Sequence, residues 1–426
     1  MTRIAEFSKK YPTIPKDVLV KWELMNRGIR DSKDLDKVSF WRRAAEGAYL
    51  SFDEDLTLER IKKETPWRVK GDSVLLPDRL YLKTGFDFYL YRKERSPYVI
   101  KEINQGKVAI FEGEEMVDVE VYEPPREKER LCKELKTSKG KSVRDFMELF
   151  GNCYSIYPGR FCEYFNDGDA CKFCNYNPTQ EDGRAIGVQR PKTLNLEETA
   201  EAFKIIGAEM RLVEGFMVGG GFKRSETEAS FYLKFVEKLN SSLSYRTDMK
   251  VLCQAMSRRD LQRLKDAGLT SVRLHMETFD EQLFDVMLPG KAKHLSRQGW
   301  LDAFQDSVEI FGVGNVGAKF TGGLTMQGPY GHATWQEARD SHMEGDRWMI
   351  SHGVLPSMGA LRWAPGSAFS HDPANWNRFP PTEYYLDLLV AHHSTMKEYG
   401  LYEKLNKHLC CGLCFHSRHI YIGEMG

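Results

Sequence analysis

Three cysteines in one short stretch, FCEYFNDGDACKFCNYN at 161–177, are the residues best placed to do chemistry. Cys162, Cys171 and Cys174 follow a C-x8-C-x2-C spacing in a run that is polar, glycine-containing and without helical or strand period. Thiolates bind soft or borderline metals, and the last two cysteines have the spacing that lets one turn present two sulfurs to one centre. Three thiolates without a fourth leave a structural zinc site unclosed, whereas they suit an iron-sulfur cluster that keeps one iron open. Zinc binding, a redox loop and ordinary buried thiols are the alternatives that the spacing leaves standing.

A second group lies far downstream in HLCCGLCFHSRH, where Cys410, Cys411 and Cys414 stand among His408, His416 and His419. It fits an auxiliary metal site, as zinc or as a second cluster, with a reduced thiol group as the alternative. Cys132, Cys153 and Cys253 have no ligand-type neighbour in sequence and read as core or surface thiols.

Lys+Arg and Asp+Glu are both 61, for a formal charge of zero, which removes any whole-chain electrostatic case for nucleic acid or an anionic membrane. No apolar run approaches the roughly 18 residues that a membrane span needs. The first residues, MTRIAEFSKKYPTIPKD, lack the apolar segment of a signal peptide, so a cytoplasmic protein with reduced cysteines is expected.

The elements that must position these groups come in three parts. Residues 1–145 predict an N-terminal α+β domain, with short helices in 1–60, a small antiparallel sheet over 66–122 and a linker at 123–130. Residues 146–370 alternate regularly. A run through Cys153–Ile156 is followed by a helix capped at Asn195, and then by strands in RLVEGFMV, KVLCQA, SVRLHME, NVGAKFTGGL and VLPSMGALRW, each separated by a helix. Six short apolar strands joined by helices predict a partial (β/α)6 TIM-type barrel of the α/β class. Residues 371–426 form a short cysteine-rich C-terminal extension.

In such a barrel the reacting groups stand at the C-terminal ends of the strands. That rim would hold the cysteine loop after the first strand, Gly219, Gly220 and Gly221 after the second, and His275 and Glu277 at the end of the fourth. Lys319 and Thr321 on the fifth strand and 363–366 after the sixth complete it. Strand alternation puts Arg273, His275 and Glu277 on one face.

The chain resembles the radical SAM superfamily, within its biotin synthase-like branch. The resemblance covers about 146–370 and rests on CKFC with Phe173 before Cys174, VGGG after the second strand, VRLHMETFDEQLFDVMLPGK, GVGNVGAKFTGGL and ALRWAPGSAF. The family spacing is C-x3-C-x2-C, so EYFNDGDA is an insertion in the cluster loop, and Gly221 stands where many members have Glu. Cys162 is favoured over Cys153 as first ligand because Cys153 sits within the apparent strand.

The resemblance implies an enzyme in which these thiolates hold a [4Fe-4S] cluster whose open iron chelates S-adenosyl-L-methionine. Reductive cleavage yields a 5'-deoxyadenosyl radical that takes hydrogen from substrate. It further implies backbone groups of Gly219–Gly221 near the methionine amino group, and Glu277, with His275 beside it, on the ribose hydroxyls or the ammonium. Lys319, or alternatively Arg273 or Arg362, would face the methionine carboxylate, and Phe173 and the Pro365 turn would flank the adenine. A low-potential donor such as a flavodoxin or ferredoxin is the implied partner, and the substrate, small molecule or protein, is not specified by the fold. The reading from another class is a zinc-stabilised binding protein with structural cysteine sites.

Overall fold

The computed structural model describes residues 1–32 and 35, parts of 69–121, 127–150, 153–178 and most of 191–404. Helices α1 (Arg3–Lys10) and α2 (Lys16–Arg27) come first. A four-stranded sheet pairs β1 (Arg30–Asp31) with β6 (Tyr98–Asn104), β7 (Lys107–Glu112) and β8 (Glu115–Val117), and β2 (Val69–Lys70) with β3 (Ser73–Val74) and β4 (Arg79–Tyr81) with β5 (Asp87–Tyr89) make two small antiparallel pairs. The sheet expected over 66–122 is thus present as antiparallel ladders, with β1 added in parallel. The linker expected at 123–130 is corrected in its second half, where α3 (Glu127–Glu134) begins. EKERLCKE is rich in strong helix formers and holds no Gly or Pro, so the breaker signal of Pro124 and Pro125 stops short of it.

The second sheet carries the regular alternation. Its strands are β9 (Met147–Phe150), β10 (Cys153–Ile156), β11 (Glu214–Val218), β12 (Asp248–Cys253), β13 (Ser271–Glu277), β14 (Val316–Gly322) and β15 (Leu355–Ala360). From β10 to β15 the strands lie side by side in chain order and all pair in parallel, while β9 pairs antiparallel to β10 at the edge. The fold is a mixed α/β fold with a parallel sheet. Helices α4 (Leu196–Glu209), α5 (Ser225–Ser242), α6 (Arg258–Asp266), α7 (Glu281–Met287), α8 (Pro289–His294), α9 (Arg297–Phe311) and α10 (Trp335–Ser351) fill the crossovers. Their starts are set locally. Asn195, Ser257 and Ser296 each accept a first-turn N–H, and Thr334 with Glu337 closes a reciprocal capping box.

One face of each parallel strand is packed against these helices. Met217, Val251, Leu274 and Phe320 are buried in a single core with Phe203, Phe235, Leu261 and Phe304. No helix among the described residues is long and apolar enough to cross a membrane.

A second core joins the two ends of the described chain. Helix α11 (Ala368–His371) is followed by α12 (Thr382–Glu398), whose Tyr384, Tyr385 and Leu388 pack with Val18, Leu19 and Trp22 of α2 and with Tyr98 and Ile110 of the first sheet. Trp22 stacks on Tyr385 with ring centroids 5.2 Å apart and planes 15° from parallel. Beside it the buried Glu23 accepts from Tyr98 Oη at 3.0 Å and from Thr382 Oγ1. Trp22→Ala is expected to cost about 3–5 kcal/mol through the cavity it leaves. A urea titration checks this, and an unchanged midpoint would mean that the stacking does not hold the two ends together.

Candidate active site

The cysteine loop is gripped by the sheet from two sides. Glu163 N–H donates to the Gly221 carbonyl at 2.9 Å, and Gly290 N–H to the Asp169 carbonyl at 2.9 Å. Lys172 N–H reaches the Met287 carbonyl at 2.9 Å, so the end of α7 and the start of α8 hold the loop opposite the glycines. Its own ends are tied by Asn177, whose Oδ1 accepts from Cys162 N–H at 2.8 Å and whose Nδ2 donates to the Cys162 carbonyl at 3.1 Å. The insertion is not an open bulge. Glu163–Asp167 form a 3-10 turn closed by Gly168 in the left-handed region, and the buried Tyr164 donates to Gln254 Oε1 at 2.8 Å and to the Phe222 carbonyl at 3.1 Å.

The glycines after β11 serve this packing. A side chain at Gly220 would collide with the Phe161 carbonyl, and one at Gly221 would meet the Tyr164 ring and stand 3.5 Å from Cys162 Sγ. Backbone can approach backbone there only because both side chains are absent.

Cys162, Cys171 and Cys174 stand close enough for each to bear on the ionisation of another, whereas Cys153 is buried within β10. Burial pushes all three thiols up, Cys171 to about 12, and repulsion from neighbouring thiolates adds to it at Cys171 and Cys174. Opposing this, the N–H groups of Gly221 and Tyr164 face the Cys162 sulfur, that of Tyr176 faces Cys174, and the Lys291 ammonium bears on Cys162 and Cys171. Such N–H donors and a buried cation are what a set of anionic sulfurs requires, so the residues fit a cluster held by three thiolates. Among the described residues no three His, Cys, Asp or Glu side chains close around one metal ion. A cluster does not ask for that, since its sulfurs bind different irons.

Glu277 organises the neighbouring rim. It ends β13 at φ 70°, in the left-handed region that a non-glycine residue seldom adopts. Strict alternation fails just before it, because β13 places Leu274 opposite Ala318 and Glu277 opposite Phe320, three residues against two. Its carboxylate nevertheless remains near His275, with Nδ1 and Oε1 3.9 Å apart. Thr321 Oγ1 donates to Glu277 Oε2 at 2.7 Å and Lys291 Nζ to Oε1 at 3.2 Å. Lys291 also donates to the His275 carbonyl and lies 5.6 Å from the centre of the Trp300 ring. Burial alone would raise the Glu277 carboxyl, but Lys291, the neighbouring His275 and Lys319 together outweigh it and bring it to about 2. Burial, with Lys291, Lys319 and Arg273 around it, keeps His275 neutral, down to about 3, against the pull of Glu277.

The expected site residues thus gather at one end of the sheet, with Lys319 and Thr321 on β14 beside Glu277. Phe173 packs at the margin of the main core. Pro365, Cys410, Cys411 and Cys414 lie outside the described residues. Sequence reasoning missed Lys291 and Glu228. LPGK shows a lysine after a glycine, and nothing in that order announces a buried ion pair. Glu228 of α5 is wholly buried beside Gln254, and burial pushes its carboxyl up to about 8.

No family model matches the chain. Bacteriochlorophyllide c C-7(1)-hydroxylase of Chlorobaculum limnaeum is 24% identical over 238 residues, 52% of this chain and 56% of that protein. The chain therefore spans little more than half the length of this curated relative. Among solved structures, methylornithine synthase is similar with a TM-score of 0.40 and 18% identity, over 62% of this chain and 72% of that one. A radical SAM methyltransferase from Sphaerobacter thermophilus has a TM-score of 0.38 and 11% identity, over 92% and 91% of the two chains. Coproporphyrinogen III oxidase of Escherichia coli, described as a radical SAM enzyme, has a TM-score of 0.36 and 12% identity, over 58% and 52%. Two of these solved proteins are described as radical SAM enzymes. The relatives named are enzymes.

Two stability measurements follow from the rim. Lys291→Met leaves a buried carboxylate unpaired and is expected to cost about 3–5 kcal/mol, while Lys291→Met combined with Glu277→Gln should cost clearly less than the sum of the single changes. Denaturant titrations of all three variants check this, and additive losses would remove the ion pair from the account. For Glu228 the folded value lies above the unfolded one, so the stability it allows is full below the ordinary carboxyl value of 4.5 and is lost as pH rises through about 8. Glu228→Gln is therefore expected to gain on the wild type as pH rises from 4.5 to about 8 and to gain no more above that, read as the difference between their melting temperatures. A difference independent of pH would show that the carboxyl is not held neutral.

Proposed function

We propose that the chain is a radical SAM enzyme, a partial (β/α)6 TIM-type barrel that cleaves S-adenosyl-L-methionine reductively and abstracts hydrogen from an organic substrate. The observation that supports it best is the convergence of Cys162, Cys171 and Cys174 beside the buried Glu277 and Lys291 pair at the C-terminal ends of the parallel strands. A [4Fe-4S] cluster with S-adenosyl-L-methionine, when bound, supplies one-electron cleavage of a sulfonium and so a radical able to take hydrogen from carbon.

The three cysteines would hold the cluster, with Lys291 offsetting the negative charge that their sulfurs bring into a buried place. Glu277, ionised and oriented by Thr321 and Lys291, would accept hydrogen bonds from ribose hydroxyls or from the ammonium of the methionine part. Gly219–Gly221 would let backbone approach the same group, Lys319 would face the carboxylate, and Phe173 with Pro365 would flank the adenine. Burial of the rim keeps water away from the reacting atoms. The electron would come from a low-potential donor of the flavodoxin or ferredoxin kind, in a cytoplasmic setting. Cys410, Cys411 and Cys414 are proposed as an auxiliary metal site, and residues 1–145 as an N-terminal α+β domain.

Anaerobic purification and reconstitution test the reading. The wild type should carry iron and release methionine and 5'-deoxyadenosine from S-adenosyl-L-methionine under a strong reductant. Replacing Cys162, Cys171 and Cys174 together by Ala should remove both the iron at this site and the cleavage. A colourless wild-type protein with stoichiometric zinc would favour the structural-zinc alternative, and cleavage surviving in the triple variant would sink the assignment of the cysteines.

A further inference from the structure

The face of the parallel sheet turned away from the helices is where this chain differs in chemistry from its own core. Along β11, Phe216 and Val218 are half-buried while Met217 between them is buried, and along β12 Leu252 is half-buried beside the buried Val251 and Cys253. Along β13 only Arg273 and His275 are half-buried, and along β14 only Lys319. Alternation of exposure with a period of two marks one face as accessible from the space in front of it. That space has an apolar side, made by Phe216, Val218 and Leu252, and a basic side, made by the cations of Arg273 and Lys319 with the neutral His275 between them. Toward the N-terminal ends of the strands it is floored by a buried ion pair, Lys250 Nζ with Glu214 Oε1 at 3.4 Å.

Two atoms on the basic side lack a partner. Arg273 Nε and His275 Nε2 are both buried and make no hydrogen bond. A buried polar group without a partner costs free energy that a ligand can recover. The nearby carboxylates are otherwise engaged, Glu214 by Lys250 and Glu277 by Lys291 and Thr321. Arg273 lies across Gly317, its register partner on β14, and a side chain there would come to 3.0 Å from Nε. The absence of that side chain is what leaves the guanidinium lying along the sheet. Arg273 also stands four residues before Glu277, at most about 13 Å deeper along the strand, so it is set for a group below the rim and not for one on it.

We infer that the substrate is an apolar organic acid, its carboxylate held by Arg273 below the rim and its hydrocarbon body against Phe216, Val218 and Leu252. The inference rests on the radical SAM reading for its chemistry and names the class of molecule that the enzyme acts on. A guanidinium takes a carboxylate through paired donors. His275 Nε2 completes its hydrogen bonding on the same polar end. The apolar end of the molecule then faces the C–H chemistry, which needs no polar contact to the reacting carbon.

The test uses the full chain, anaerobically reconstituted, and three matched probes: 3-phenylpropanoate, 3-phenylpropanamide and 2-phenylethyl phosphate. Binding is read by ligand-observed NMR titration, and cleavage of S-adenosyl-L-methionine is measured on the same preparation. The carboxylate should bind at least about tenfold more tightly than the amide. Arg273→Met should abolish that preference, Arg273→Lys should restore part of it, and Gly317→Val, which keeps the arginine but fills the space beside it, should abolish it again. Circular dichroism confirms that each variant is folded. Equal binding of acid and amide, no binding of any probe, or a preference unchanged in both Arg273→Met and Gly317→Val would overturn the inference. Tighter binding of the phosphate than of the carboxylate would overturn the carboxylate in favour of a phosphate ester. Cleavage without any charge preference sinks this inference alone, whereas a charge preference in a protein that cannot cleave S-adenosyl-L-methionine sinks the enzymatic reading instead.

Discussion

The buried ion pair of Glu277 and Lys291 is the constraint on which the rest of the site depends. An isolated ionised carboxylate cannot be left in such a place, and an ion pair there is no guarantee of stability, because desolvation of both partners offsets their attraction. Its effect is positional. Glu277 sits at the last residue of β13 in a left-handed conformation, and Lys291 sits on α8, so the pair fixes how the chain turns from strand to helix. The same turn presents Met287 and Gly290 to the backbone of Lys172 and Asp169, and this is one wall of the cysteine loop. Thiol chemistry and carboxylate chemistry are therefore set by one local geometry, and Lys291 is the cation that both share.

The opposite wall is made by absence. Gly220 and Gly221 allow the loop backbone to lie directly on the end of β11, and the Tyr164 ring fills the space between Gly221 and Gly290. The eight residues between Cys162 and Cys171 fit because their first half is wound into a 3-10 turn and pinned by that tyrosine, which leaves Cys162 within reach of the other two sulfurs.

Much of this was legible in the residues. Each of β10 to β15 was foreseen as a strand because short apolar runs between capped helices admit little else, and the caps at Asn195 and Thr334 were local signals. The antiparallel β9 was not foreseen, because MELF is only four residues long and its one hairpin signal, Gly151-Asn152 before CYSI, is weaker than the long parallel alternation that follows. The helix α3 was missed because two prolines just before it dominated the reading of 123–130. Glu277 was found by alternation, but its positive φ and the bulge before it were not, since neither leaves a trace in residue type when the residue is not glycine. Lys291, Glu228 and the clasp made by Asn177 depend on how turns and crossovers fold neighbouring segments back on one another, which composition and period do not encode.

The stacking of Trp22 on Tyr385 has a consequence for how the chain is made. Helices α1 and α2 leave the ribosome well before α12, yet the surface that covers Trp22, Val18 and Leu19 comes in part from α12, more than three hundred residues later. At about 5–20 residues per second, that apolar helix face waits roughly 20–70 s for its partner. During synthesis that face thus stays incompletely covered until α12 emerges, whereas the strands of the parallel sheet, which pair in chain order, meet their partners as they appear.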